Sequence, residues 1–146
     1  MTTNMFAGAS ISASGMSAER LRMEVVANNI ANANSTRSAD GGPYRRQHLV
    51  FASALNDVNG KESVAGMNGV EIIGKVSDDS EFPLVYNPGH PDANPETGLV
   101  AMPNVKLPHE MVDLITASRS YEANLKALTS YKQMVEHTLR LLRGGV

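Results

Sequence analysis

The sequence predicts an α+β fold in which long N- and C-terminal helices pair as a coiled coil, with a small, mainly antiparallel β module inserted between them. Apolar residues recur at helical spacing at both ends of the 146-residue chain, whereas in the centre they alternate with polar residues. A compact chain of this size has a diameter of roughly 40 Å. The C-terminal helix alone is expected to be about 54 Å long. Because this helix exceeds the globule it would belong to, side-by-side pairing of the two end helices is the simplest arrangement.

The N-terminal helix is predicted from about Phe6 to Asn34, a segment that contains no proline. Its apolar residues form a narrow stripe with seven-residue spacing, as in a coiled-coil seam. Four asparagines interrupt the end of this stripe, and asparagine is a poor helix residue because its side chain competes for backbone hydrogen bonds. Either the helix fails there, or the amides have partners outside this chain in a helix–helix seam. We expect the second for Asn28 and Asn29, while Asn34 is the best candidate for a fraying end.

The C-terminal helix is predicted from about Pro108 to Arg143. Proline suits the first helical position, Glu110 suits the first turn as a favourable charge at the helix N-terminus, and Arg140 and Arg143 suit the last turn. Two heptad rows run between these ends. One row is Met111, Ser118, Leu125, Lys132 and Leu139, and the other is Leu114, Tyr121, Leu128, Val135 and Leu142.

Alternating residues in the centre predict a small β module with irregular connections. The four strand candidates are residues 44–51, 70–76, 82–86 and 98–102. Pro83 directs the third candidate to a sheet edge, since proline cannot donate a ladder hydrogen bond. Residues 52–69 are predicted to be a surface loop.

The three zones give a domain division into an N-terminal helical segment at 1–36, a β-rich middle domain at 37–104 and a long C-terminal helix at 105–146. Pairing the two helices covers only part of each apolar stripe. Uncovered apolar rows on a soluble chain usually mark an interaction surface. We therefore predict an assembly interface with other chains. It comprises Ile11, Ala18, Leu21, Val25, Asn28, Asn29, Asn32, Met111, Leu114, Ser118, Tyr121, Leu125, Leu128, Lys132, Val135, Leu139 and Leu142.

Composition and motifs predict no catalytic, metal-binding or nucleic-acid-binding site. The net charge is −2 and there is no cysteine, so neither a nucleic-acid footprint nor a thiol or cysteine-ligated metal site is predicted. The four histidines fall in separate segments, and His90 with Asp92 suits a turn far better than a metal site. Arg45 and Arg46 read as a surface pair, or as a bridge to acidic groups of a neighbouring chain. We expect no cofactor, no metal, no cleaved secretion signal and no membrane-spanning segment.

Four segments, "ANNIANANSTR", "ADGGPYRRQ", "LVYNPGHPDANPETGLVAMPNV" and "EMVDLITASRSYEANLKAL", together resemble the proximal-rod proteins of the bacterial flagellar basal body. These proteins belong to a wider family of axial rod and hook proteins with an "NNxAN" core, which Asn28, Asn29, Ala31 and Asn32 match. The glycine–tyrosine pair typical of that wider family is missing after Thr36. Its absence argues against a hook or distal-rod protein.

The resemblance implies a structural subunit and not an enzyme. It implies export through the flagellar type III apparatus and a place in the periplasmic rod, the helical shaft that transmits torque from rotor to hook. The implied partners are copies of the chain, other proximal-rod proteins, the distal-rod protein and the rod–MS-ring junction protein. The alternative is a non-flagellar coiled-coil adaptor that homodimerises and displays the β module. An enzyme would need an unrecognised site in the "NPGHPDAN" loop.

Overall fold

A computed structural model describes residues 7–38, 41–53 and 69–144. The elements follow the order α1 (Ala7–Ala31), β1 (Gln47–Ser53), β2 (Val70–Ser77), β3 (Leu84–Tyr86), β4 (Leu99–Ala101) and α2 (Leu107–Arg143). The chain groups into two compact units: residues 1–21, 51–73 and 117–146 in the first, and residues 22–50 and 74–116 in the second. Neither helix, over its described residues, combines the length and apolar character needed to cross a bilayer.

Helix α1 ends at Ala31, so the predicted extension to Asn34 was wrong. The chain turns because the amide of Asn32 folds back onto the helix. Its Nδ2 donates to the Asn28 carbonyl at 2.9 Å and to Asn28 Oδ1 at 2.6 Å. This is the local competition that disfavours asparagine inside helices. Phe6, where the helix was predicted to start, lies outside the described residues.

Helix α2 has nearly the predicted bounds. Pro108 lies in its first turn, where a missing N–H costs nothing. At the other end, Gly144 N–H donates to the Arg140 carbonyl at 2.8 Å and Arg140 and Arg143 occupy the last turn. The 37 residues correspond to a length of about 55 Å at the usual rise.

The two helices contact each other within each unit. In the first unit, a Cβ added at Gly15 would lie 3.1 Å from Asn124 Nδ2, so the helix backbone comes close to that side chain. In the second unit, Arg22 is 3.5 Å from Asp113, and Asn29 is 2.9 Å from Glu110. Because a later residue of α1 meets an earlier residue of α2, the helices are antiparallel there. The predicted helix pairing around a β module is confirmed.

All four predicted strand segments contain a strand. Strands β1 and β2 form one two-stranded sheet, and β3 and β4 form a second, antiparallel one with Val85 opposite Val100. The first strand begins at Gln47, three residues later than predicted. Most of the predicted loop at 52–69, residues 54–68, lies outside the described residues.

The described residues contain few buried apolar side chains. Ala18, Val26, Val100 and Ala117 are buried, and none is a large side chain. The largest fully buried side chains are Glu110, Val100 and Asn29. Two of these three are polar. Since buried polar groups are costly unless hydrogen-bonded, the second unit depends on how Asn29 and Glu110 are paired.

Candidate functional site: a buried polar joint and the uncovered helix rows

Asn29, in the last turns of α1, is fully buried and uses its whole amide. Its Nδ2 donates to the Gln47 carbonyl at 2.8 Å and to Glu110 Oε2 at 2.9 Å. Its Oδ1 accepts from Tyr44 Oη at 2.9 Å and from the Gln47 N–H at 3.0 Å. An amide offers two donors and two acceptors, and all four are used here. Asn29 therefore joins α1 to the start of β1 and to α2.

Glu110, in the first turn of α2, is also fully buried. Its Oε1 accepts from Arg46 Nε at 2.6 Å, and its Oε2 accepts from Asn29. A buried carboxylate is tolerated only when it is paired and hydrogen-bonded, because desolvation of an isolated charge is expensive. Arg46 and Asn29 together provide that pairing.

Arg46 holds further carboxylates around the same point. Its guanidinium lies 3.3 Å from Asp113 and 3.8 Å from Asp78. Burial alone would lower the pKa of Arg46, but Glu110, Asp113 and Asp78 outweigh it and raise the pKa above its usual value. Burial, and then the charge of Glu110, raise the pKa of Tyr44. Tyr44 thus keeps the proton that it donates to Asn29.

Asn104, just before α2, fixes the same region from the other side. Its Oδ1 accepts from the Arg46 N–H at 2.7 Å, and its Nδ2 donates to the Asp78 carbonyl at 3.0 Å and to Ser80 Oγ at 2.9 Å. Hydrogen bonds from Ser80, with a smaller effect of the Arg46 charge, lower the pKa of Asp78. Arg45 donates to the Asp78 carbonyl at 2.8 Å and stacks on Phe82 at 4.5 Å.

We call Asn29, Tyr44, Arg46, Asn104 and Glu110 the polar joint. Both oxygens of Glu110 and every polar atom of the Asn29 amide are already bonded within it. None of these atoms is left directed at a substrate, so the arrangement is that of a structural connection between α1, β1 and α2. The carboxylate of Glu110 and the hydroxyl of Tyr44, the two groups of the joint that could act as an acid, base or nucleophile, are both engaged in these hydrogen bonds.

A second tie connects the chain after α1 to the "NPGHPDAN" loop. The Asp92 carboxylate accepts from Thr36 Oγ1 at 2.9 Å and pairs with Arg37. The hydrogen bond from Thr36, followed by Arg37, lowers the pKa of Asp92. The backbone N–H of Asp92 donates to His90 Nδ1 at 3.1 Å, and this is a turn, as predicted. No cluster of three or more metal-ligating side chains occurs among the described residues.

The predicted interface residues fall into a covered and an uncovered set. On α1, Ala18 and Asn29 are buried, and Asn28 is exposed. Those of α1 that are half-buried are Ile11, Leu21 and Val25, with Asn32 just beyond the helix end. On α2, the half-buried residues are Leu114, Ser118, Tyr121, Leu128 and Val135, and the exposed ones are Met111, Leu125, Lys132, Leu139 and Leu142.

The covered face of α2 is offset by one residue from one of the two predicted rows. Its buried and half-buried residues include a series in which successive members are alternately four and three residues apart. The series is Glu110, Leu114, Ala117, Tyr121, Asn124, Leu128, Tyr131 and Val135. The row beginning at Leu114 is therefore covered as far as Val135. The other predicted row, beginning at Met111, is mostly uncovered. Tyr131 is half-buried and belongs to the covered face.

Sequence reasoning missed the polar joint. Arg46 was expected to form a surface pair with Arg45 or to bridge to acidic groups of a neighbouring chain, and Asn29 was expected to find its partners outside the chain. Both expectations were wrong, because Glu110 of the same chain binds both side chains. The sequence feature that could have indicated the joint was Glu110, which lies one residue before the first residue of an apolar row. It was interpreted only as a favourable charge at a helix N-terminus.

Comparison with known proteins gives the family. Residues 10–37 match the family model "Flagella basal body rod protein", and residues 96–141 match "Flagellar basal body rod FlgEFG protein C-terminal". The FlgC rod protein of Borreliella burgdorferi is 40% identical over 96% of this chain and 99% of its own length. The chain belongs to the FlgC family. The FlgC proteins of Bacillus subtilis and Aquifex aeolicus are 42% and 43% identical over 93% and 92% of this chain, and 97% and 95% of their own lengths.

The resemblance to flagellar rod proteins is thereby confirmed. The two FlgC relatives from Bacillus subtilis and Borreliella burgdorferi are named as basal-body rod proteins, which agrees with a structural protein of the basal body. The first matched segment contains Asn29 and the second contains Glu110. The polar joint of this FlgC-family chain therefore links the two segments that the family models match.

Proposed function

We propose that this FlgC-family chain is a structural, non-enzymatic subunit of the proximal rod. It assembles with copies of itself and with other rod proteins through the uncovered rows of its terminal helices. The product is a helical shaft that transmits torque from rotor to hook. The single observation that carries the proposal is the apolar row on α2 that the chain itself leaves uncovered.

The apolar side chains of that row are each about half exposed to solvent. Met111, Leu125 and Leu139 are 52%, 45% and 52% exposed, at intervals of fourteen residues along one face. Scattered surface leucines need no explanation, but a row of them along one helix marks an interaction surface. A second helix that packs here would complete a coiled-coil seam. The proposal assigns this place to a neighbouring subunit.

The end of α2 adds a second uncovered surface within the first unit. Gly15 lies beside Asn124. With antiparallel helices of equal rise, the first described residue of α1, Ala7, would lie level with about Lys132. Helix α2 continues beyond that level to Arg143, and Leu139, Leu141 and Leu142 are 52%, 79% and 76% exposed. These leucines are suited to contacts with other subunits.

Identical contacts that repeat without closing generate a helical assembly. We assign the helical segments 1–36 and 105–146 to the wall of the shaft and the middle domain, 37–104, to its outside. The proposed neighbours are other proximal-rod proteins, the distal-rod protein and the rod–MS-ring junction protein. The proposed location is the periplasmic part of the basal body, reached by type III export without signal cleavage.

A pair of surface variants tests the proposal. Leu125→Asp places a charge on the uncovered row, and Lys75→Asp makes a charge change at an exposed position of β2. Each variant replaces the gene in the bacterium that carries it. We expect Leu125→Asp to abolish swimming and intact rods in electron micrographs of basal bodies, and Lys75→Asp to leave both intact. Circular dichroism should show that both purified chains fold.

Two outcomes would overturn the proposal. Normal swimming with Leu125→Asp would show that the row is not used in assembly. A purified chain that forms only a closed dimer with both helices fully covered, as determined by light scattering and hydrogen exchange, would favour the coiled-coil adaptor.

A further inference from the structure

Strand β3 has an open edge that the helix interfaces do not involve. Among the described strands its only neighbour is β4. The Asn87 N–H donates to the Gly98 carbonyl, and the Met102 N–H donates to the Pro83 carbonyl, both at 2.9 Å. Positions 83 and 87 therefore face β4, and since antiparallel strands alternate, Val85 faces β4 as well. Leu84 and Tyr86 direct their N–H and C=O groups away from β4.

The other edge of this small sheet, along β4, is partly occupied by the loop that precedes β4. The Leu99 carbonyl on β4 accepts the Asn94 N–H at 2.9 Å. On β3, the missing N–H of Pro83 is on the side that faces β4, so proline does not block the open edge. Pro88 would direct its backbone N–H away from β4, but proline has none. The open edge is therefore limited to the backbone groups between Pro83 and Pro88.

The side chains of β3 are as open as its backbone. Leu84, Val85 and Tyr86 are 63%, 49% and 70% exposed. Proteins usually protect such an edge with charged side chains or a covering segment, because it is a template for another strand. None of these three side chains is charged.

A groove lies on the face that carries Leu84. Its volume is about 800 Å³, and its walls include Leu84 and two residues of β4, Leu99 and Ala101. Ala101 is the register partner of Leu84, so these side chains share one face of the sheet. The 92–97 loop forms the other wall and contributes Pro95 and Glu96. The groove is thus apolar at its base and has a carboxylate at its edge.

The charge at the groove favours a basic partner. Glu96 is exposed, and Asp92, the other carboxylate of the groove, already pairs with Thr36 and Arg37. Glu96 is therefore the charge available to a ligand. A lysine or arginine that follows an apolar residue would reach it.

We propose that β3 binds an extended segment of a partner protein, which adds to the sheet as a third strand. The outward N–H and C=O groups of Leu84 and Tyr86 bind its backbone. The groove receives one apolar side chain, and Glu96 pairs with a lysine or arginine of the segment. Recognition of this kind combines backbone hydrogen bonds for affinity with side-chain pockets for selectivity.

The first test uses the full chain and the peptide Lys-Val-Thr-Val-Thr-Val-Lys, with amide hydrogen exchange followed by NMR. Binding should slow exchange at Leu84 and Tyr86 and leave Val85, which already faces β4, unchanged. Two versions of the peptide, N-methylated at odd or at even positions, should differ, because only one set removes the N–H groups that face β3. Equal binding of both versions, or equal effects at Leu84 and Val85, would overturn the proposal.

The second test reverses the charge at the groove. Glu96→Lys should weaken binding of the lysine-ended peptide by about three- to tenfold and improve binding of a glutamate-ended version. Glu71→Lys, at an exposed position of β2, is the matched control and should change neither. No effect of Glu96→Lys, or pairing of β3 only with the β3 of a second copy, would contradict the assignment. None of these outcomes depends on assembly through the helices.

Discussion

Asn29 Nδ2 lies 2.9 Å from Glu110 Oε2, although 81 residues separate the two in the chain. The contact joins the end of α1 to the beginning of α2, and Arg46 ties the approach to β1 to the same carboxylate. In a unit with little large apolar core, these hydrogen bonds determine how the three segments meet. Fully satisfied buried networks favour one arrangement over alternatives.

Replacement of Asn29 by alanine is expected to destabilise the chain strongly. Asn29→Ala leaves the Tyr44 hydroxyl, the Gln47 backbone groups and one oxygen of Glu110 without their partner. The expected loss in the free energy of unfolding is about 3 kcal/mol or more, as each unsatisfied buried group costs about 1–3 kcal/mol. Asn34→Ala, at an exposed asparagine beyond the end of α1, should cost less than about 0.5 kcal/mol. Urea denaturation compares the two variants, and equal losses would contradict the role of the joint.

Replacement of Glu110 tests the charged part of the joint. Glu110→Gln keeps the shape, but its amide places a donor against either Arg46 or Asn29. We expect a loss of about 2–4 kcal/mol, since removing one partner of a buried ion pair leaves the other uncompensated. The double variant with Arg46→Met should be less destabilised than the sum of the single variants. Additive losses in this double-mutant cycle would mean that the two side chains do not interact.

Gly98 requires glycine for two independent reasons. Its φ is +67°, and an added Cβ would lie 2.7 Å from the ring of Tyr86. Gly98→Ala should therefore lower the free energy of unfolding by about 1–2 kcal/mol, the usual cost of a left-handed conformation for a side-chain-bearing residue. Gly74→Ala, in β2 with no atom within 4 Å of the added Cβ, is the control and should be neutral or slightly stabilising. The melting temperatures of the two variants give the comparison.

The tie between Asp92, Thr36 and Arg37 is expected to weaken in acid. The pKa of Asp92 is lower in the folded chain than its ordinary value of 3.8. Its contribution to stability is therefore present above about pH 4 and is lost as the pH falls through the lower folded value. Asp92→Asn should be less stable than the parent chain at pH 7, and the difference should shrink as the pH falls below 4. A difference that is constant from pH 7 to pH 3 would argue against this linkage.

The covered and uncovered rows of α2 should respond differently to the same substitution. Leu128→Asp places a charge on the covered face and should lower the melting temperature of the isolated chain markedly, because burying a charge costs several kcal/mol. Leu125→Asp, three residues earlier, should leave that temperature nearly unchanged. Thermal melts of the isolated chain separate the two, and a reversed order would mean that the faces are misassigned.

The α+β class, the helix pairing and all four strands could be predicted from the periodicity of apolar residues. Periodicity indicates which side of a helix or strand is buried. The signal is robust because many residues contribute to it. The offset of one row on α2 shows the limit of this signal. Ala117 and Asn124 lie on the covered face although their side chains are small or polar. Asn124 is covered where it lies beside Gly15, a residue of α1 that has no side chain.

The polar joint could not be predicted in the same way. Its five residues come from positions 29, 44, 46, 104 and 110, and no periodic pattern connects them. Glu110 and Arg46 are also common surface residues, so each has an ordinary explanation when considered alone. What the sequence did indicate was that the amides near the end of α1 needed partners. The expectation failed for Asn29 only in placing those partners on another chain.

The complete use of the Asn29 amide has a consequence for how this position can change during evolution. Aspartate would lose both donors, glutamine would carry the amide too far, and serine would supply too few bonds. None of these three replacements reproduces the four hydrogen bonds of the Asn29 amide. A substitution at this position therefore requires a compensating change in a distant segment. We expect this site to drift more slowly than neighbouring positions of similar helical preference.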